Sequence, residues 1–235
     1  MRYLGGKSRI AKSLVAAMGA NERPLGQWFV EPFCGACNVT CAVGGLRLAS
    51  DANPWLIHMW ESLRSGTWEP PEDLTEERYS ELKTTQPLHP DTAFAGFGCS
   101  FGGKWFGGFA RGEGRDFPKE ARAGVLEKRG RLSEVHFTCA LYQDLQIPPN
   151  SLIYCDPPYA GTTGYGAIEA WDAEAFYQWC RDRAAEGHDV YVSEYSAPED
   201  FEAVWRKETK TTMAVDAINR NRDRVERLYR VRGLE

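Results

Sequence analysis

Apolar and polar positions along the chain alternate in a way that predicts a βαβ succession. Apolar residues at helical spacing from Ile10 to Met18 predict a helix over 8–18, with Ser8 as its N-cap. The runs "QWFVEPF" and "LRLASD" are typical of buried strands. The run "NPWLIHMWESLRSG" predicts a helix that Asn53 and Pro54 open and Gly66 closes.

This rhythm is interrupted between Thr67 and Leu132. The run "EPPEDLTEERYSELK" predicts an acidic helix, and "AFAGFGCSFGGKWFGGFARGEGR" is a glycine and aromatic tract without a clear period. The rhythm then resumes with strand-like "VHFTCALY", "SLIYC", "DVYVSEYS" and "RVERLYRVRG", and with the helix "AEAFYQWCRDRAAEG". We therefore predict one doubly wound α/β domain, with halves at 1–66 and 133–235 and an insertion at 67–132.

Composition changes this picture little. The chain has 235 residues, 43% of them hydrophobic and 26% charged, which suits one substantial core. No apolar run approaches the roughly 20 residues that span a bilayer, and the first residues do not resemble a signal peptide. Seven cysteines, an odd number, favour reduced thiols. We expect no membrane partner and a cytoplasmic setting.

The net charge of -5 argues against a nucleic-acid partner, but the charges are unevenly distributed. Acids dominate 61–81, whereas basic residues recur in two later stretches. They are Lys104, Arg111, Arg115, Lys119, Arg122, Lys128, Arg129, Arg131 and then Arg220, Arg222, Arg224, Arg227, Arg230, Arg232. Such runs are more often simply solvated faces, so they carry modest weight alone.

Two motifs that suggest other functions fail on spacing. A phosphate-cradling loop at Gly5-Gly6-Lys7-Ser8 needs a glycine five residues before Gly6, where Met1 stands. The C-x2-C-x3-C run of Cys34, Cys37 and Cys41 lacks a matching Cys or His pair for zinc. We therefore predict neither an ATPase nor a metal site.

The ends of the predicted strands carry the residues that suggest a ligand site, because ligands of open α/β sheets lie outside the carboxyl ends of the strands. Gly35 follows the first strand, where a turn lets the backbone approach a ligand. Asp51 ends the next strand, where nucleotide-binding α/β proteins place an acid that binds ribose hydroxyls. The alternative is a tight turn with a helix-capping aspartate, and these two residues alone do not decide between them.

The run "CDPPY" after the strand "LIYC" predicts a rigid corner. Asp156 and Pro157 each precede a proline and are pushed toward extended geometry, and Pro157 and Pro158 lack amide donors. The Asp156 carboxylate and the Pro157 carbonyl can accept both hydrogens of a planar exocyclic amine, and Tyr159 offers a ring on which a base stacks. Such acceptors favour a tetrahedral nitrogen whose lone pair points at an electrophile.

The order of "YLGGK", "FVEPFCGAC", "SDANP" and "YCDPPY" resembles the Dam-like DNA adenine methyltransferases, the D12 class with alpha-group motif order. The resemblance implies a Rossmann-like methyltransferase sheet with an inserted, mainly helical target-recognition module. It also implies an enzyme that transfers a methyl group from S-adenosylmethionine to the N6 amine of adenine in double-stranded DNA. The base would be flipped out of a specific short sequence.

The resemblance assigns roles to individual residues. The cofactor-binding set comprises Tyr3, Lys7 toward the cofactor carboxylate, Phe33 and Gly35 along its methionine part, Asp51 on its ribose, Asp144 near its adenine, and Asp156. The pocket for the target adenine comprises Asp156, Pro157, Pro158 and Tyr159. Two positions differ from the family's usual residues: Tyr3 stands where many members have tryptophan, and Cys37 stands where they have glycine.

Under this resemblance the 67–132 insertion would be the target-recognition module. Lys104, Trp105, Phe106 and Arg111 would contact DNA. The alternative for this tract is a glycine loop packed by its own aromatic rings. Two other functions stay open: an RNA adenine N6-methyltransferase and a non-catalytic DNA-binding descendant. We expect a stand-alone bacterial enzyme of a phage or restriction-modification setting, in the cytoplasm or nucleoid, without an obligate protein partner.

Overall fold

A computed structural model of the chain describes residues 1–157, 171–209 and 224–232. Within them one mixed sheet has the order β3-β2-β1-β4-β5-β7-β6. Its strands are β1 Phe29–Glu31, β2 Arg47–Asp51, β3 Val135–Cys139, β4 Leu152–Cys155, β5 Asp189–Glu194, β6 Phe201–Thr209 and β7 Arg224–Val231. Strands β1 to β5 are parallel, and β7 runs antiparallel between β5 and β6.

Six α-helices connect or cover these strands in the described residues. They are α1 Ala11–Ala17, α2 Pro54–Ser65, α3 Glu76–Thr85, α4 Pro90–Ala93, α5 Phe117–Leu126 and α6 Ala173–Ala185. Helix α2 has the predicted ends: the Asn53 side chain accepts a hydrogen bond from the Leu56 amide at 3.0 Å, and Gly66 ends the helix at φ 75°. A π-turn over Phe94–Gly98 continues α4 into the glycine and aromatic tract.

The predicted start of the first helix is wrong. Helix α1 begins at Ala11, after Ile10, and the Ile10 side chain forms no capping hydrogen bond. The amides of Ile10 and Ala11 donate instead to the Lys7 carbonyl, at 2.9 and 2.8 Å. The turn that Ser8 was expected to cap is therefore closed by backbone groups.

Side chains on the two faces of the sheet belong to different hydrophobic clusters, as the period of two along a strand requires. On one face Phe29, Tyr154 and Leu228 pack with α1. On the other face Val30 and Ile153 pack with α6. Helices therefore cover both faces, which confirms the prediction of a doubly wound, Rossmann-like α/β fold.

The 67–132 segment is mainly helical, as predicted, but its apolar side chains do not form a separate core. They join one cluster with α2 and with Ala49 of β2, in which Phe94, Phe97 and Leu132 are fully buried. The segment therefore packs on the sheet as part of the β2 to β3 connection. Its role as a target-recognition module stays a prediction.

The direction in which successive strands are added to the sheet reverses between β1 and β4. From β1 the chain proceeds outward to β2 and β3, and it then returns to β4 on the other side of β1. Neighbouring connections leave this point in opposite directions, which opens a crevice at the carboxyl ends of β1 and β4. Glu31 ends β1 and Asp156 follows β4, so both acids lie at this crevice. None of the described helices is long and apolar enough to cross a membrane.

Candidate active site

Asp156 lies directly after β4 and binds a lysine from the other end of the chain. The Lys7 ammonium donates to Asp156 Oδ1 at 2.7 Å, and only 6% of the Lys7 side chain is exposed. Burial raises the pKa of Asp156 to about 6, although Lys7 lowers it. At neutral pH Asp156 is therefore mostly ionised and can accept hydrogen bonds from an amine.

Lys7 has two further acceptors, which the sequence motif did not predict. Glu226 Oε1 on β7 lies 3.3 Å from its ammonium nitrogen, and the Gly5 carbonyl oxygen lies 3.2 Å away. Burial lowers the pKa of Lys7, but Asp156 and Glu226 outweigh that effect and raise it. The predicted contact of Lys7 with a cofactor carboxylate stays a prediction, and in this structure its ammonium faces protein carboxylates.

Asp51 ends β2 and joins two turns. Its Oδ2 accepts from the Gly35 amide and its Oδ1 accepts from the Asn53 amide, both at 2.9 Å. Burial raises the pKa of Asp51 to about 6, although these two amides lower it. This geometry is compatible with a turn-capping aspartate and also with a ribose-binding one, because each carboxylate oxygen keeps a further lone pair for a ribose hydroxyl.

The turn after β1 approaches Tyr3 so closely that only glycine fits at position 35. Gly35 has φ 43°, and a Cβ there would lie 2.7 Å from Tyr3 Cε1. The backbone of Tyr3 is equally close to Gly103, and Leu4 donates to the Gly103 carbonyl at 3.1 Å. The predicted cofactor residues Tyr3, Gly35 and Asp51 are thus one contiguous group.

Cys37 occupies a left-handed backbone position, which explains why glycine suits it. Its φ is 53°, and its side chain is fully buried. A non-glycine residue in this region is strained by roughly 1–2 kcal/mol. The thiol packs in the same cluster as Cys34 and Ala49, so burial offsets part of that strain.

Phe33 and Asp144 have surroundings different from those of Asp51. Phe33 packs against Tyr142, Trp171 and Phe176, with ring centroids 5.5 to 5.9 Å apart. Asp144 is exposed in the turn that follows β3. Neither residue forms a described contact with Lys7 or Asp156, so their cofactor roles stay predictions.

Glu31 is fully buried and holds the loop after β1. It accepts from the amide of Thr40 at 2.8 Å and from its hydroxyl. Burial raises the pKa of Glu31 to about 8, although the two Thr40 hydrogen bonds lower it. This acid is therefore mostly protonated at neutral pH and supports the turn that carries Gly35.

The predicted pocket for the target base is only partly within the described residues. Pro157 is buried directly after Asp156. Pro158 and Tyr159 lie outside the described residues. The stiff corner is thus seen as far as its carboxylate and its first proline.

A cleft of about 480 Å³ lies between the N-terminal residues and the 67–132 segment. Its lining includes three arginines, Arg2, Arg111 and Arg115, and no acidic residue among those that the structure describes. Gly6 and Ser8, which flank Lys7 in the chain, line the same cleft, whereas Lys7 and Asp156 are not among its described lining residues. Each of these arginines also pairs with an acid, Glu76 or Glu120, so a polyanion bound in the cleft would compete with these acids.

The four residues predicted to contact nucleic acid differ in their placement, and one of them, Phe106, is buried. Arg111 lines the cleft, pairs with Glu76 and has 70% of its side chain exposed. Lys104 is exposed. Trp105 packs against Trp55 and Phe97, with ring centroids 5.2 and 4.8 Å apart, which matches the alternative of a tract packed by its own aromatics.

Sequence reasoning did not single out Glu226, Arg2 or Arg115 as site residues. Arg2 and Arg115 both pair with Glu120, at 3.0 and 2.6 Å, and both stack on the Phe117 ring. Nothing in a single sequence indicates that residues 2 and 115 meet. Glu226 sits in an ordinary alternating strand, so its burial beside Lys7 also depends on the sheet order.

Comparison with known proteins bears on the N-terminal part of the chain. The family model of the D12 class N6 adenine-specific DNA methyltransferases matches residues 3–93. No functionally curated protein matches the chain. Residues 3–93 include Lys7 and the contiguous group of Tyr3, Gly35 and Asp51.

Solved structures resemble the chain only distantly. The rRNA methyltransferase AviRa from Streptomyces viridochromogenes is 13% identical, with a TM-score of 0.44 over 97% of this chain and 86% of that chain. SMU.472, described as a methyltransferase and solved with SAH, is 12% identical, with a TM-score of 0.41 over 100% of this chain and 55% of that chain. These likenesses are too distant to bear on substrate. The family match confirms the resemblance carried by the motifs: over residues 3–93 the chain is similar to the D12 class, and it is an enzyme whose cofactor is S-adenosylmethionine.

Proposed function

We propose that the protein methylates the N6 amine of adenine in double-stranded DNA at a specific short sequence, with the target base flipped out of the duplex. The observation that carries this proposal is the position of Asp156. This acid follows β4 at the crevice beside β1, where the D12-like residues Tyr3, Gly35 and Asp51 are also found. The hydrogen-bond acceptor for the amine and the residues proposed to bind the cofactor therefore lie at the same end of the sheet.

The chemistry requires an acceptor rather than a strong base. The amine of adenine is a poor nucleophile because its lone pair is delocalised into the ring. Asp156 and the Pro157 carbonyl accept its two hydrogens, which favours a tetrahedral nitrogen in the transition state. Bound S-adenosylmethionine would supply the methyl carbon that the nitrogen attacks, and its sulfur would leave with the electron pair of the broken carbon–sulfur bond as a neutral thioether. The methylated nitrogen then loses one proton to Asp156 or to water.

The cofactor is held by the residues around the β1 and β2 turns. Asp51 binds the ribose hydroxyls with the lone pairs that the Gly35 and Asn53 amides leave. Phe33 and Gly35 border the methionine part, Tyr3 contacts the cofactor, and Asp144 lies toward the adenine. Lys7 stands next to the carboxylates of the site. S-adenosylmethionine supplies an electrophilic methyl group on a sulfonium, so no metal is required for this step.

The DNA lies along the basic cleft. Arg2, Arg111 and Arg115 neutralise backbone phosphates, with Lys104 further along the same segment. Gly6 and Ser8, which flank Lys7 in the chain, line this cleft, and in this proposal the strand continues from there to Asp156. An adenine inside a duplex cannot reach the end of a strand, so it must leave the stack. Tyr159 then offers its ring to the flipped base.

Incubation of the purified protein with labelled S-adenosylmethionine and matched polymers tests the proposal. We expect label in N6-methyladenine of duplex DNA, and methylation sequencing of DNA from expressing cells then reports the sequence context. Label in RNA alone would replace DNA by RNA as the substrate. Cofactor binding without transfer to any polymer would favour a non-catalytic DNA-binding descendant. A stand-alone bacterial enzyme of a phage or restriction-modification setting needs no added protein in this assay.

A further inference from the structure

We propose that Glu226 on β7 is a positioning residue for methyl transfer, which acts by sharing Lys7 with Asp156. The inference rests on the proposed function, in which Asp156 accepts hydrogen bonds from the target amine. Glu226 does not itself need to touch substrate or cofactor.

The geometry places one ammonium between two carboxylates. The Lys7 nitrogen lies 2.7 Å from Asp156 Oδ1 and 3.3 Å from Glu226 Oε1. The exposed fractions of these side chains are 6% for Lys7, 19% for Asp156 and 8% for Glu226. Removing water from such a group makes each interaction stronger than it would be at the surface. With both acids ionised, the group carries one net negative charge.

The sheet order brings Glu226 to the same end of the sheet as Asp156. Strand β7 is antiparallel to β5, where Arg227 lies opposite Glu194 at the end of β5. Glu226 is one residue beyond that pair, at the carboxyl end of the parallel strands. Asp156 leaves β4 at the same edge, because Cys155 lies opposite Val192 on β5. Residues on β7 and directly after β4, two strands separated by β5 in the sheet, therefore converge on Lys7.

Sharing the lysine gives Asp156 a property that an exclusive ion pair lacks. A carboxylate neutralised by its own lysine is a weak acceptor for a further hydrogen bond, since its charge is already satisfied. Glu226 draws part of that positive charge away and keeps Lys7 in place. Asp156 therefore remains oriented by the lysine but retains acceptor strength toward the amine.

Other titratable groups face the same cluster. Burial raises the pKa of Glu194 on β5 to about 7, so this acid is about half protonated at neutral pH. Burial raises the pKa of Glu31 on β1 to about 8 and that of the Tyr154 hydroxyl on β4 well above its usual range. At neutral pH Glu31 and Tyr154 therefore carry little negative charge, whereas Glu194 carries about half a charge. Glu226 lies within 3.3 Å of Lys7 and raises the pKa of Asp156.

The substitution Glu226→Gln tests the inference, with Glu202→Gln on the exposed face of β6 as the matched control. The Asp156 carboxyl is followed by carbon-13 NMR against pH, and its signal is assigned by its loss in Asp156→Asn. We expect the titration midpoint of Asp156 to fall by about half a pH unit or more in Glu226→Gln, because a like charge has been removed. It should stay at the wild-type value in Glu202→Gln.

Methyl transfer supplies the second readout. In Glu226→Gln we expect kcat to fall severalfold while the Kd for S-adenosylmethionine changes by less than about twofold, since Glu226 acts on Asp156 and not on the cofactor. In a Lys7→Met background the same substitution should have little further effect on kcat, because its route through the lysine is gone. Equal losses of kcat in both backgrounds, or an unchanged Asp156 midpoint, would overturn the proposal.

Two features keep the result interpretable. The NMR titration needs no substrate, so it tests Glu226 even if the labelled cofactor never reaches adenine and the proposed function fails. If Glu226→Gln does not fold, Glu226→Asp retains the charge on a shorter side chain. That variant should keep the Asp156 midpoint near wild type but reduce kcat, and a wild-type kcat there would count against a positioning role.

Discussion

Asp51 and Asp156 are two acids at the carboxyl ends of β2 and β4, parallel strands that both pair with β1, and they are held in different ways. Burial raises the pKa of each to about 6. The carboxylate of Asp51 accepts from two backbone amides, whereas that of Asp156 accepts from the Lys7 ammonium. Amides are dipoles fixed by the turns that carry them, while an ammonium is a full charge on a flexible stem. Asp51 is thus built into the backbone, and Asp156 depends on a charge that other residues can modulate.

The largest effect is expected from removing the acid that is held by a charge. Asp156→Ala should reduce methyl transfer by at least about a hundredfold, because the target amine loses an acceptor that acts in the transition state. Cofactor affinity should remain largely intact. Single-turnover transfer and calorimetric titration of S-adenosylmethionine measure the two quantities, and wild-type turnover in this variant would end the assignment of Asp156.

Removing the acid that is held by amides should affect binding and stability together. In Asp51→Ala the buried Gly35 and Asn53 amides lose their acceptor, so the free energy of unfolding should fall by about 1–3 kcal/mol. The affinity for S-adenosylmethionine should fall as well. Urea denaturation and calorimetry check both. For comparison, Asp144→Ala in the exposed turn should weaken the cofactor without lowering stability, and an equal loss of stability there would remove the contrast.

Lowering the pH should separate activity from stability. Asp51 and Glu31 have folded pKa values of about 6 and about 8, both above their unfolded values. Their contribution to stability is present at low pH and is lost as pH rises through 6 and then 8. Activity should change in the opposite sense, with an acid limb near pH 6 as Asp156 becomes protonated. Denaturation midpoints and transfer rates between pH 5 and 8 measure this, and a parallel fall of both would contradict it.

The smallest effect concerns the strained residue of the same turn. Cys37→Gly relieves the left-handed strain but loses a buried side chain, and Cys37→Ala loses the thiol without relieving the strain. We therefore expect Cys37→Gly to be more stable than Cys37→Ala by about 1 kcal/mol. Thermal unfolding of the two variants compares them directly. A more stable alanine variant would mean that packing, not backbone conformation, dominates at this position.

Much of the sheet could be predicted because its strands are short apolar runs that end at turn-forming residues. The predicted strands around Val30, Leu48 and Ile153 and the ends of α2 are confirmed, since each rests on local chemistry. Strand β6 was missed because its sequence, "FEAVWRKET", is too polar for a buried strand. Among the described strands it pairs with β7 alone, at the edge of the sheet, where polar residues are tolerated.

In the candidate site, too, residues set by local motifs could be predicted, whereas contacts between distant parts of the chain could not. Gly35, Asp51 and Asp156 follow strands directly, so a motif of a few residues predicts them. The partners of Lys7 could not be predicted, because they are 149 residues away in one case and come from an antiparallel strand in the other. The basic cleft likewise joins Arg2 to Arg115 and depends on how the 67–132 segment packs.

Strand β7 has a consequence for the order in which the protein becomes competent during synthesis. It comes after β5 and β6 in the chain but lies between them in the sheet. A ribosome-bound chain that ends before residue 224 therefore has β5 as an unpaired edge and lacks Glu226 beside Lys7. Insertion of β7 therefore closes the sheet and completes the charges around Asp156 in one step. In a nascent chain, the cofactor-binding residues can thus come together before the site that acts on DNA is complete.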